Sequence, residues 1–291
     1  MSISTRDLTV LLGVIMIVFM LVIPLPAIMI DFLIIINILI ALMVLLVAMN
    51  AKEALEFSVF PTLLLIVTLF RLALNVSTTR AILSNGNGGE VIEAFGSFVV
   101  GGKPLVGFVI FLILVLIQFL VITKGSERVS EVSARFTLDA MPGKQMAIDA
   151  DLNSGMIDEL QARNRRQKIQ SEADFYGAMD GASKFVKGDA IAGIIIVIIN
   201  LIFGMIIGVV EQSLPIAESV KLYTLLTVGD GLVSQIPALL ISVATGIIVT
   251  RSTSDGNLGE DVIGQLTRTP LLVGIAAGAI FLLGLFTAIP D

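Results

Sequence analysis

The chain has 291 residues, 56% of them hydrophobic and only 14% charged, with a mean hydropathy of +1.00 and a formal net charge of −6. Soluble domains carry roughly 25% charged residues, so this composition excludes a soluble globular protein and marks a polytopic membrane protein. Cysteine and histidine are both absent, which excludes thiol nucleophiles, disulfides, imidazole bases and the usual zinc and haem sites. Any proton chemistry falls to carboxylates, and neither a metal nor a cofactor is expected.

A helix needs about 20 apolar residues to cross a hydrocarbon core of roughly 30 Å, and seven runs near that length are predicted: 8–25, 30–49, 59–83, 104–123, 189–210, 231–250 and 270–289. The expected fold class is therefore all-α. The first run follows Arg6 and ends in Ile-Pro-Leu-Pro without a small-residue cleavage site, so no cleavable signal peptide is predicted. In the second, Asp31 near the outer end reads as interfacial polarity, with Asn37 deeper.

The third run, "VFPTLLLIVTLFRLALNVSTTRAIL", places Arg71 about midway. At 100° per residue Thr68, Arg71, Asn75 and Thr78 share a face. An arginine at that depth requires a partner inside the bundle, whether as a structural ion pair or as a functional charge. The following "NGNGGE" is a glycine-rich turn without the Lys-Ser/Thr of a phosphate loop.

Residues 124–188 form the only segment large enough for a soluble subdomain, which divides the chain into 1–123, 124–188 and 189–291. It continues the fourth span as "KGSERVSEVSARFTLDA", is predicted to turn at Met141-Pro142-Gly143, and resumes as a long helix. The apolar stripe of that helix (Leu160, Ile169, Phe175, Met179, Phe185) is thin, which predicts packing against neighbours. Arg128 and Arg135 lie seven apart, Asp139 follows Arg135 by four and Asp180 precedes Lys184 by four, spacings that pair charges along a helix face for about 0.3–0.5 kcal/mol each.

The fifth span opens at Asp189, expected at the cytoplasmic mouth either as a helix cap or as a titrating group. Gly193, Asn200 and Gly204 fall near its face, and Gly204 and Gly208 have the spacing that lets helices approach closely, here taken to favour association between subunits. The sixth span, "TVGDGLVSQIPALLISVATG", sets Asp230 between two glycines and Pro237 one turn after Ser234. An irregular opening is expected there, with Asp230, Ser234, Pro237 and Thr245 on one face.

Lys and Arg mark the cytoplasmic side. Ten of the 18 lie between Lys124 and Lys187, so that segment and the N-terminus are expected inside, and Asp291 outside. No internal repeat is visible, which argues against an inverted-repeat transporter. No nucleophile–base dyad is paired by sequence, so no enzyme is predicted.

The stretch "ARFTLDAMPGKQMAIDADLNSG" closely resembles the signature of the FHIPEP family, the export-gate proteins of flagellar and virulence-type type III secretion systems. "ADFYGAMDGASKFVKGDAIAG" looks like the family's second characteristic stretch. Further matches are "FRLALNVSTTR", "FGSFVVGG", "VITKGSERVSEV" and "TVGDGLVSQIPALLIS", and "FVVGG" with "MPGKQMAIDADLN" looks more like the flagellar branch. The resemblance implies a ring subunit, nine copies in the family, at a separate export channel in the bacterial inner membrane, using the proton motive force to move unfolded substrate proteins. By matching motif it implies a functional charged cluster of Arg128, Arg135, Asp139, Asp180 and Lys184. Asp189 becomes the leading candidate for proton coupling, Asp230 the second, and Arg71, Asn75 and Asn200 are their intramembrane polar company. Family members also have an eighth span and a cytosolic domain that receives substrates and chaperones, which are expected beyond Asp291. Lipid is the other expected partner; nucleic acid is not. The rival readings are an ion-coupled transporter or channel, and a ring scaffold without a coupling role.

Overall fold

In lipid a backbone has to satisfy its own hydrogen bonds, so apolar runs of this length become helices. The computed structural model describes residues 5–251 and 258–286, all of them helix or short connections. In chain order these are α1 (Thr5–Val22), α2 (Ala27–Asn50), α3 (Phe60–Asn85), α4 (Glu90–Val100), α5 (Pro104–Ile117), a π-helical stretch (Gln118–Thr123), α6 (Lys124–Asn153), α7 (Glu159–Val210), α8 (Ile216–Thr250), α9 (Leu258–Thr267) and α10 (Pro270–Phe286). By length and composition, five helices can cross a membrane: α2, α3, the continuous rod Pro104–Asn153, α7 and α8. The pair formed by α9 and α10, bent by 79°, makes a sixth if taken together, and the apolar part of α1, Leu8–Val22, is shorter. Each of the seven predicted runs thus falls on a helix, although the first and last are not long single spans. Residues 287–289 of the last run, and Asp291, lie outside the described residues.

The bundle is layered. α3 and α8 occupy the centre, α2 packs on them from one side and α7 from the other, and α6 lies against α7 and α8. One apolar cluster joins Ala41, Val44 and Ala48 of α2 to Phe60, Leu64 and Val67 of α3, Phe175, Met179, Ala182 and Val186 of α7, and Ile241, Ala244 and Ile248 of α8. A second, further along, joins Ile30, Ile34, Phe70, Leu74, Ile82, Ile92, Tyr223 and Leu226. α1 is held at its end by α3: Arg80 donates to the carbonyls of Val22 and Leu21, both at 2.8 Å, and Ser77 donates to that of Met20 at 3.0 Å. These are carbonyls that a helix C-terminus leaves without internal partners.

Four local expectations are corrected. The helix does not turn at Met141-Pro142-Gly143: α6 passes through Pro142, where the chain is exposed, and its far half is held by Ile148 packing with Ile157, Ala162 and Ile169. The turn comes at residues 154–158, where Gly155 adopts φ +75° and Asp158 caps α7, accepting from Gln161 N at 2.7 Å. The second helix of this hairpin buries Ile169, Phe175 and Met179, as its stripe suggested, but leaves Leu160 67% and Phe185 44% exposed.

Nor does the chain break at Gly229-Asp230-Gly231, for α8 runs unbroken through them and through Pro237. The glycines serve close packing instead. A Cβ on Gly229 would strike the Ile92 carbonyl of α4, and one on Gly231 the ring of Phe111 in α5. α4 itself was not anticipated. It is only 11 residues long, lies against α8, and is capped from α2, where Asp31 accepts from the backbone N–H of Glu90 and of Val91, each at 3.0 Å. Asp31 is therefore a tertiary helix cap, a stronger role than interfacial polarity.

A buried polar core between three helices

The polar face of α3 turns inward as its spacing requires, with Thr68, Arg71, Asn75 and Thr78 all buried. Arg71 forms an ion pair with Asp189 of α7, the two side chains retaining 3% and 1% exposure. Desolvating two charges is costly, and only good geometry with further hydrogen bonds offsets that cost. Further hydrogen bonds are scarce here: Nη1 of Arg71 and Oδ1 of Asp189 have no hydrogen-bond partner among the described residues.

Asp189 is buried inside the bundle rather than exposed at the end of a helix. Its partner lies near the middle of the 26-residue α3, and the preceding turns of α7 pack against the first half of that helix. Helical apolarity placed Asp189 at the edge of a span because it begins the apolar run, whereas packing carries the more polar turns before it up alongside α3.

The other polar side chains follow towards the opposite end of the bundle. Ser234 of α8 donates to Asn75 Oδ1 at 2.7 Å, and Asn200 of α7 donates through Nδ2 to Asp230 Oδ2 at 3.0 Å. Asp230 and Asn200 are 2% and 0% exposed, and Oδ1 of each is without a hydrogen-bond partner among the described residues. Arg71, Asn75, Asp189, Asp230 and Ser234 line one cavity of about 50 Å³, more than the roughly 10–15 Å³ of comparable volume that one water requires. One guanidinium and two carboxylates thus face a common small space, where gain or loss of a single proton changes the balance of charge.

Sequence reasoning overlooked Gln118, which also lines the cavity. It opens the π-helical stretch and donates through Nε2 to the carbonyl of Gln235 at 3.3 Å. A lone glutamine in an otherwise apolar span was the available signal, and π-helical turns tend to mark functional positions.

The predicted charged cluster is dispersed. Lys184 pairs with Asp180 at 2.7 Å. Arg128 pairs instead with Glu131 at 2.8 Å. Arg135 and Asp139 are exposed, and no ion pair joins them. None of these groups reaches Asp189, so within one copy of the chain neither Lys184 nor Arg135 can read its charge. Thr245 shares a face with Asp230 but donates to its own helix, at the Ile241 carbonyl. Gly204 and Gly208 are taken up inside the chain, where a Cβ on either would meet the Tyr223 ring. Their spacing therefore gives no support to association between subunits.

The FHIPEP family model matches residues 17–291. The flagellar biosynthesis protein FlhA of Bacillus subtilis is 68% identical over 286 residues, which cover 98% of this chain and 42% of that protein. FlhA of Salmonella typhimurium is 54% identical and FlhA of Proteus mirabilis 52%, each over 283 residues, 96% of this chain and 41% of the relative. The chain thus spans about two fifths of the length of these curated relatives. No solved structure matches it.

Proposed function

Because this chain belongs to the FHIPEP family, we propose that it is the membrane region of an export-gate subunit of the flagellar protein-export apparatus, coupling the proton motive force to passage of unfolded proteins across the bacterial inner membrane. It acts as a ring of identical subunits, nine in the family, beside separate channel subunits. Substrates and chaperones are received by parts of the protein beyond residue 291. The Lys- and Arg-rich segment 124–188 and the N-terminus face the cytoplasm, in keeping with the distribution of positive charge. The role is non-enzymatic.

The observation that carries this reading is the buried Arg71–Asp189 pair on a cavity shared with Asp230. Protonation of Asp189 removes the counter-charge of Arg71. A guanidinium left alone in such a site costs about 3–5 kcal/mol, enough to drive α3 and α7 to another arrangement. Asp230, on the same cavity, is a second carboxylate that the guanidinium can turn towards, and Asn75, Ser234 and Gln118 line the same space.

The test is Asp189→Asn and Asp189→Glu in the full-length protein, with secretion of export substrates and ring assembly measured in parallel. Export is expected to fail in the first with the ring intact and to persist in part in the second. Wild-type secretion with asparagine would leave the pair a structural one, the reading favoured by the near-complete burial of both partners.

A further inference from the structure

The first half of α3, from Phe60 to Arg71, contains no charge before the arginine and is roughly 16 Å long at 1.5 Å per residue. That is about half of a bilayer's ~30 Å hydrocarbon core. Two very different surfaces flank it at the same level. On the α2 side Leu39, Leu42, Met43, Leu46 and Val47 are between 41% and 56% exposed. Their buried neighbours Ala41, Val44 and Ala48 share an apolar cluster with Leu64 and Val67 of α3 and with Met179, Ala182 and Val186 of α7. A stripe of this kind, in a 24-residue apolar helix, fits lipid.

The far side of the same layer is charged. Met179, Ala182 and Val186 face the bundle, while Asp180 and Lys184 on the outer face of α7 pair with each other and Lys187 pairs with Glu127 of α6 at 2.9 Å. The neighbouring turns of α6 are fixed at this height by Ser130, which accepts from Ser183 at 2.9 Å, and by Ser126, which donates to the Ser242 carbonyl at 3.1 Å. They present Arg128 and Glu131, with side chains 73% and 52% exposed. Val129 and Phe185 are interspersed singly. Lipid cannot solvate such a face, since charged side chains at this depth turn to water or to a protein interior.

We propose that the α6–α7 face stands in water at the depth at which the α2 face stands in lipid, so that the chain forms one wall of an aqueous vestibule cut into the cytoplasmic half of the membrane. The vestibule ends at Gly188, exposed and one residue short of Asp189. Water thereby comes to the threshold of the buried ion pair without crossing the apolar layer. The proposal rests on α2 and α3 spanning the membrane and goes beyond the coupling role.

The chain contains no cysteine, so single cysteines report position cleanly. In the full-length protein, with any cysteine outside this segment replaced by serine, Ala178→Cys and Gly181→Cys are placed on the charged face and Leu42→Cys and Leu46→Cys on the α2 face. Ala178 is exposed and a Cβ on Gly181 meets open space, so both leave the charges and the packing intact. If an α2 variant fails to accumulate, Met43→Cys replaces it. Inverted membrane vesicles are treated with a membrane-impermeant maleimide, and labelling is compared with that after detergent denaturation. Complete labelling at 178 and 181, with none on α2, is expected. Equal labelling on both faces would overturn the proposal by placing the whole layer below the membrane, and no labelling at 178 and 181 would overturn it by showing the face covered. Labelling does not read export, so it stands or falls apart from the effect of Asp189→Asn on secretion.

Discussion

The Ser234 hydroxyl of α8 donates to the Asn75 amide oxygen of α3 at 2.7 Å, one helical turn along α3 from the Arg71–Asp189 ion pair. The central two helices are therefore joined by a neutral hydrogen bond, and α3 is joined to α7 by an ion pair, within a single cavity lining.

Removal of one member of the ion pair leaves the other as a buried, uncompensated charge, at about 3–5 kcal/mol, whereas replacement of both by apolar residues costs far less. Arg71→Leu is expected to lower the thermal midpoint of the purified protein strongly. Arg71→Leu with Asp189→Leu is expected to recover most of that loss while export stays abolished. A double variant as unstable as the single one would show that the two residues are not coupled; one that exports would make the pair a scaffold element only.

Gly229 and Gly246 lie on the same helix and give opposite expectations. A methyl group at Gly229 collides with the Ile92 carbonyl, and overpacking of this kind costs about 1–3 kcal/mol. At Gly246 nothing lies within 4 Å, so alanine gains helix propensity, up to about 1 kcal/mol. Thermal unfolding in detergent should place Gly229→Ala below wild type and Gly246→Ala at or slightly above it.

Asp31→Ala frees the amides of Glu90 and Val91, and loss of a helix cap costs about 0.5–2 kcal/mol. Hydrogen exchange should quicken at the start of α4 and remain unchanged along α3. Asp31→Asn, which keeps one acceptor oxygen, should show a smaller effect.

Lys168 of α7 donates to Glu53, in the connection between α2 and α3, at 2.8 Å, and this bond with the charge of Glu53 raises the lysine above its ordinary value of 10.5. A raised folded-state value means that the stabilisation is fully present below about pH 10.5 and is lost as the pH rises through the folded value. The lysine is half exposed, so the pair contributes only ~0–1 kcal/mol. Lys168→Met should cost a small, constant amount of stability around neutral pH, with the two curves converging as the lysine deprotonates in strong alkali. A difference that changes near neutrality would assign the effect to another group.

The members of the buried site were legible because a polar residue inside an apolar run stands out, and helical spacing then gives its direction. Arg71, Asn75 and Asn200 were found in that way, whereas Asp189 and Asp230 stand at the openings of their runs and came forward through the family resemblance. Which of them meet was not legible, since periodicity orients a side chain about its own helix and says nothing of the height at which another helix stands. Asp189 was therefore read as an edge residue, although α7 begins well before its apolar run. Local rules misled where packing outweighed them. Gly-Asp-Gly and Met-Pro-Gly both read as breaks, yet the helix continues through the first, where α4 and α5 press against the missing side chains, and through the second, where the chain is exposed. α4 escaped notice because 11 residues are too few for a span.

That short helix also imposes an order on biogenesis. The groove that accepts α4 is made largely by α8, which leaves the ribosome more than a hundred residues later, so α4 emerges without the Leu225 backbone that abuts Gly96 and without the Tyr223 and Leu226 that complete the cluster around Ile92. Asp31, already synthesised, can fix its first turn at once, but its apolar side waits through the making of the whole α6–α7 hairpin. During that interval α4 lacks its α8 partner, and its docking follows the arrival of Gly229.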